Sequence, residues 1–251
     1  MTASKATLAS SFNAIATEYA ASRPGYPTAL YDAVEELTGR PLAGADVLDV
    51  GAGTGIGTAP MVARGARVTA AEPGPGMAAQ LRSQLPDVPV VRGSGDALPF
   101  AADSFDLVTY AQAWHWTDPT RSVPEVLRVL RPGGALALWW NVPDDSVQWV
   151  AAQQDRLTPR HQFDVTDRAP ALVRDLAPAL TPRYRELRWS RTIPLDTHVA
   201  SLATHSTLAT LPADRAAALL EAERAALREV FPDGQVTEPY LVRLTAVRTP
   251  A

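Results

Sequence analysis

No cysteine occurs in this 251-residue chain. Disulfides, thiolate metal sites and a cysteine nucleophile are thereby excluded. Lysine is nearly missing as well: of 23 basic residues only Lys5 is not arginine. No lysine stands near the glycines, so a phosphate-binding Gly-Lys-Ser/Thr loop cannot form there. Nowhere do 18 apolar residues run together, and the opening stretch, MTASKATLASSFNAIATEYAASRPGYP, has no continuous apolar core. Neither a membrane span nor a signal peptide is expected. The net charge of −4 favours neither a nucleic-acid nor an anionic-membrane surface. No paired histidines at ligand spacing suggest a metal. These absences leave a cytoplasmic protein with neither nucleic acid nor membrane as partner. With 46% hydrophobic and 20% charged residues the composition is that of an ordinary globular chain, long enough for one large domain.

What is present is a strand–helix rhythm. Leu8, Phe12, Ile15 and Tyr19 share one face of a helix over 8–21. SRPGYP (22–27) breaks it, and a second helix fits 28–38, ending near Gly39. Strands are expected at 46–50, 67–72, 88–92, 105–110 and 134–141, and helices at 55–64, 75–85 and 119–130. Such alternation predicts a parallel sheet covered on both faces. After residue 142 the reading is helices over 145–157 and 167–178, a strand over 183–193, a strong helix over 211–231 and a final strand over 235–248. No repeat or linker is visible, so one domain is expected: 1–27 as an N-terminal lid, 40–142 as the core, and 143–251 as substrate cap and sheet completion.

The segment VLDVGAGTGIGTAP (47–60) runs an apolar strand into glycines 51, 53, 55 and 57. Glycines let a backbone approach a ligand, and a helix starting near Thr54 would point amide donors at an anion. The dinucleotide pattern G-x-G-x-x-G/A fails, because its sixth position falls on Ile56, Thr58 or Pro60. About twenty residues on, RVTAAEPGPGM (67–77) ends a strand in Glu72, a carboxylate able to take ribose hydroxyls. GSGDALPF (93–100) puts Asp96 and Ala97 at the same edge. SFDLVTYAQAWHW (104–116) empties Gln112, Trp114, His115 and Trp116 there. In open parallel sheets, ligands sit off the carboxyl ends of the strands.

These motifs, with VLRVLRPGGALALWWN, come in an order that resembles the class I S-adenosylmethionine-dependent methyltransferases over roughly residues 8–141. FNAIATEYAASRPGYP and QAWHW resemble the small-molecule branch that includes trans-aconitate-type and ubiquinone/menaquinone-biosynthesis-type enzymes. The resemblance implies a doubly wound, Rossmann-like, mostly parallel seven-stranded α/β sheet with helices on both faces, an antiparallel last strand and an N-terminal helical lid. It implies S-adenosyl-L-methionine as cofactor and a small-molecule acceptor; a homodimer is left open. Asp49 is implied to meet the cofactor's ammonium, directly or through water. Gly51, Ala52 and Gly53 are implied to lie under its methionine portion, Glu72 with Pro73 to hold the ribose, Asp96 with Ala97 the adenine, and Met77 to pack on the adenine. Tyr19 and Arg23 are implied to reach its carboxylate, and Gln112 to line the same crevice.

Methyl transfer asks for alignment more than covalent help. A hydroxyl acceptor must also lose a proton, and His115 is the candidate catalytic base, with an orienting or packing role as the other reading. His161, His198 and His205 are alternatives. Tryptophans 114, 116, 139, 140 and 149 are expected around the ends of the fourth and fifth strands. A protein of this fold that uses the cofactor structurally or for a non-methylating reaction is the competing reading. An NAD-dependent reductase is weaker, for want of a Tyr-x-x-x-Lys pair.

Overall fold

A computed structural model of the chain describes residues 20, 22–157, 165–205, 208 and 211–250. The first expected helix (but for Ala20), Tyr19, His161 and, of the expected 1–27 lid, all but Ala20 and residues 22–27 lie outside them. In chain order the elements are α1 (Thr28–Thr38), β1 (Asp46–Val50), α2 (Thr58–Ala63), β2 (Arg67–Ala71), α3 (Pro75–Gln84), β3 (Val90–Val91), β4 (Phe105–Ala111), α4 (Pro119–Val129), β5 (Leu130–Pro143), α5 (Gln148–Leu157), α6 (Val165–Leu176), β6 (Arg183–Pro194), α7 (Leu195–Ala203), α8 (Ala213–Val230) and β7 (Gln235–Arg248). A 3₁₀ turn, Trp114–Trp116, follows β4.

The strands form one seven-stranded sheet in the order β3-β2-β1-β4-β5-β7-β6. β1 pairs in parallel with β2 and β4, β2 with β3, and β4 with β5. The last strands run antiparallel, which makes this the mostly parallel Rossmann-like sheet expected. Strand order reverses between β1 and β4, the switch point at which such sheets open a crevice. The chain divides into two compact units, one of residues 25–141, 163–187 and 242–251, the other of 1–24, 142–162 and 188–241.

Within the first unit β1 reads as an apolar run because it is buried between two strands, with Val47 and Leu48 fully enclosed. α1 buries Leu30, Tyr31, Val34 and Leu37 at helical spacing and stops at Gly39, whose φ of 65° suits its left-handed cap. Ala52, Ala70, Leu81 and Val88 form a core patch extended by Val62, Leu85 and Val90.

The expected helix over 55–64 begins three residues late. Gly51, Gly53 and Gly55 have φ of 67°, 58° and 91°, outside helical space, so the turn persists to Gly57. The resulting helix has only six residues. β5 starts at Leu130 instead of 134, because its pairing with β4 shifts register between Leu130 and Ala135 and absorbs RPGG as an irregularity. α7 was not expected; its Leu195, Val199 and Leu202 are buried at helical spacing, in a helix of only nine residues.

The second unit has its own core of Leu195, Val199, Leu227 and Val236 under Trp149, Leu220 and Phe231. Threaded through it is a polar network that sequence reading missed. Arg156 grips Glu223 through Nε and Nη2 at 2.6 and 2.8 Å. Gln153 Nε2 donates to Glu223 at 3.1 Å and lies 2.8 Å from His198 Nε2. His198 Nδ1 meets Glu238 at 2.5 Å, and Glu238 also accepts from Arg191 Nε at 2.5 Å and Tyr240 Oη at 2.9 Å. Burial pushes the Glu238 carboxyl up, but bonds from His198 and Arg191 outweigh it and hold the group below the usual carboxylate range. Its pairing thus contributes stability above the ordinary carboxylate pKa and loses it as pH falls further.

Two stability experiments follow from this architecture. Glu238→Leu strands His198 and Arg191 without the carboxylate they share, and should lower unfolding stability in urea by about 3–5 kcal/mol; an unchanged midpoint would show the network to be idle. In the turn, a Cβ at Gly51 would lie 2.5 Å from Ala113 Cβ, whereas one at Gly53 meets nothing within 4 Å. Gly51→Ala should therefore cost about 2–4 kcal/mol, left-handed backbone plus overpacking, and Gly53→Ala only about 1 kcal/mol. Equal losses in the two variants would contradict the close approach of the turn to Ala113, in the segment after β4.

Candidate functional site

Because β1, β2, β3 and β4 are parallel, the segments that follow them leave the sheet at one edge. Side chains there bond from one loop to the next. At the end of β1, Asp49 is fully enclosed, yet its carboxylate has partners. Thr58 Oγ1 donates to Oδ2 at 2.6 Å and Thr109 Oγ1 to Oδ1 at 2.9 Å. Burial pushes its pKa up to about 6, against the pull of the two hydroxyls and with a further push from the Glu72 charge. Thr109 is its register partner on β4. Neither threonine was singled out from sequence, although a carboxylate facing a threonine across adjacent buried strands is a usable signal.

Gly51 N and Ala52 N donate to Ala71 O at 2.7 and 3.3 Å, tying the turn to β2. Glu72 completes that tie. Its Oε2 accepts from Gly53 N at 2.9 Å and its Oε1 from Gly74 N at 2.6 Å. The residue is 7% exposed, and burial raises its carboxyl pKa more than the Gly74 and Gly53 amides lower it. Each carboxylate oxygen keeps further lone-pair capacity. A Cβ at Gly53 would enter open space, so the backbone here is uncovered by the described residues. Thr54 Oγ1, beside it, is buried with no hydrogen-bond partner among them. Pro73 is exposed, while Met77 is 5% exposed and belongs to the buried face of α3.

Asp96 Oδ1 accepts from Asp118 N at 2.8 Å, linking the loop after β3 to the segment after β4. Asp118 in turn caps α4 through Thr120 N at 3.0 Å. Ala97 is exposed, and its amide donates to Ser94 O at 3.1 Å within its own turn. Gln112 follows β4 at a φ of 57°, rare for a residue with a side chain. It is held there by its amide to Trp139 O and its Nε2 to Asn141 O, both at 2.9 Å.

The next residues form a braced turn. Trp114 is buried and its Nε1 donates to Ser122 Oγ at 3.0 Å. His115, half-buried, stands on the turn with its ring 4.5 Å from that of Trp116. Its Nδ1 accepts from Trp140 Nε1 at 3.1 Å. Trp139 lies edge-on to Tyr26 and Tyr31, each at 6.1 Å. Four of the five tryptophans thus belong to the ends of β4 and β5. Trp149 does not: it packs on His198 and Phe231 in the other unit, at 5.8 and 5.2 Å. Arg23 is also in that unit, where its Nη2 donates to Thr204 O at 3.0 Å. Of the alternative bases, His198 is tied into the buried network, and desolvation with the Arg23 charge pushes His205 down to about 3. Among the described residues no group of three or more His, Asp or Glu side chains could hold a metal, and no helix is long and apolar enough to cross a membrane.

Residues 48–138 match the family model described as a methyltransferase domain. An uncharacterized methyltransferase of Mycobacterium tuberculosis strain H37Rv is 38% identical over 229 residues, covering 83% of this chain and 92% of that protein. The demethylmenaquinone methyltransferase of Renibacterium salmoninarum is 38% identical over 96 residues, 38% of this chain and 40% of that one. A solved chain from Anaeromyxobacter dehalogenans, described as a Type II methyltransferase, superposes with a TM-score of 0.71 at 25% identity over 91% of this chain and 99% of that one. A parallel sheet with its switch point under a glycine turn, and kinship over most of the length of a methyltransferase, make this chain a member of the class I S-adenosylmethionine-dependent methyltransferases.

Proposed function

We propose that the protein transfers the methyl group of S-adenosyl-L-methionine to a small-molecule acceptor, in the cytoplasm, at the crevice where β1 to β4 end. The observation that carries this reading is the Gly53–Glu72 junction. An uncovered glycine backbone adjoins a nearly buried carboxylate with acceptor capacity to spare. Such a pair suits an adenosyl ligand whose ribose presents two hydroxyls. Asp96 and Ala97 are the proposed adenine contacts. The Ala97 amide is spent on Ser94, so recognition there falls to the Asp96 side chain and to packing.

Asp49 is proposed to face the ligand's ammonium from below the turn, through water if not directly, since its oxygens already hold Thr58 and Thr109. Bound in this crevice, the sulfonium supplies a methyl already activated for in-line displacement, so the chain's work is orientation and exclusion of water. His115 and the aromatic rings beside it are proposed to line the acceptor side. The small-molecule class is supported by the acceptor that the demethylmenaquinone methyltransferase's name implies.

Glu72→Ala should weaken S-adenosylmethionine and S-adenosylhomocysteine binding on the order of tenfold to a hundredfold, as expected for about 1.5–3 kcal/mol of lost hydrogen bonding. Calorimetry giving the wild-type affinity would reject the ribose assignment. Asp49 supplies a pH test. With a pKa of about 6 it is half protonated near that pH in the free protein, and a nearby cation favours its ionised form. Cofactor binding near pH 6 should therefore release roughly half a proton and strengthen as pH rises, with release fading by about pH 8. Calorimetry in buffers of different ionisation enthalpy measures this; the signal should vanish in Asp49→Asn, and its absence from wild type would remove Asp49 from the ammonium site.

A further inference from the structure

Two adjacent tryptophans on β5 have opposite fates. Trp139 Nε1 is buried without a hydrogen-bond partner among the described residues, whereas Trp140 Nε1 donates to His115 Nδ1 at 3.1 Å. An indole N–H can only donate. The imidazole nitrogen that receives it must therefore be unprotonated, and the proton of a neutral ring must sit on Nε2. We infer that Trp140 is a positioning residue that fixes the His115 tautomer, making His115 a hydrogen-bond donor to the methyl acceptor instead of a base that deprotonates it.

Both partners are held from behind, so the bond is not a chance of side-chain rotation. Trp140 is 3% exposed and follows Trp139, which is in register with Ala111. The Trp114 ring packs against it at 6.5 Å. On the other side the turn bearing His115 is closed by Trp116 N to Ala113 O and Thr117 N to Trp114 O, both at 3.0 Å, and pinned by Trp114 to Ser122. Drawing a proton onto Nδ1 would set two donors face to face and strand the indole N–H inside the fold. With its single lone pair engaged, the ring has nothing with which to accept a proton from a neutral hydroxyl. It can offer Nε2–H to an oxygen carrying negative charge. The acceptor class that fits is one whose reacting group is ionised before it binds, with an anionic oxygen in reach of that N–H. This consequence for the acceptor rests on the proposed methyl-transfer site; the tautomer itself does not.

The tautomer can be read on the full-length protein labelled with ¹⁵N in histidine and tryptophan, with His115→Gln used to assign the His115 signals. The expected result is an unprotonated Nδ1, a protonated Nε2 and a measurable nitrogen–nitrogen coupling across the hydrogen bond to Trp140 Nε1. Trp140→Phe should abolish the coupling and shift His115 toward a mixture of tautomers, while S-adenosylhomocysteine affinity stays within about twofold. A protonated Nδ1 in wild type, or His115 shifts unmoved in Trp140→Phe, would overturn the inference. The wild-type coupling decides the matter even where the variant fails to fold. Absence of S-adenosylhomocysteine binding by wild type would instead count against the proposed function and leave the tautomer standing.

Discussion

A carboxylate with no access to water sits at the end of β1, and much of the site's geometry depends on satisfying it. Burying an ionisable group is costly unless its oxygens are hydrogen-bonded. Asp49 finds Thr109 on the neighbouring strand and Thr58 at the start of α2. The second bond obliges the chain to leave β1, turn through the glycines and return within nine residues. That return is open only to a backbone with left-handed residues and no side chain at Gly51, where Ala113 closes in from the segment after β4. The glycine pattern is thus a consequence of two demands met together, a buried acid and the close approach of the segment after β4.

The same logic organises the rest of the edge. Glu72 uses its oxygens on the amides of Gly53 and Gly74, and Asp96 uses one on Asp118 N. Loops that would otherwise leave backbone donors exposed are joined to one another by acids from the strand ends. The loops are therefore ordered before any ligand arrives, which spares binding the entropy of arranging them. The carboxylates proposed to recognise the cofactor also serve as structural ties, so substituting them disturbs those ties as well.

In the second unit the buried charges are arranged differently. Glu223 and Glu238 are each met by an arginine, Arg156 and Arg191, and joined through Gln153 and His198. No chemistry at the crevice requires this chain of bonds; its members specify how α5, α7, α8 and β7 pack. Breaking a buried pair of this kind is expensive, because it leaves the remaining charge uncompensated.

The alternation of strands and helices, the glycine turn and the acidic strand ends were legible in the chain, because each depends on local periodicity and on residue types that few other roles demand. The final strand over 235–248 and the helix over 213–230 were readable for the same reason. Boundaries failed where a distant contact overrides local preference: α2 starts late because its glycines are shaped by β4 and α3, and α7 is only nine residues long and buries its apolar side chains in the core of the second unit. The role of a histidine was least legible of all. Its position after β4 can be read along the chain, but the state of its nitrogens is set by Trp140, 25 residues away on the next strand. Periodicity carries no record of which donor will face which lone pair; only the register of β5 against β4, and the packing that fixes both rings, decides it.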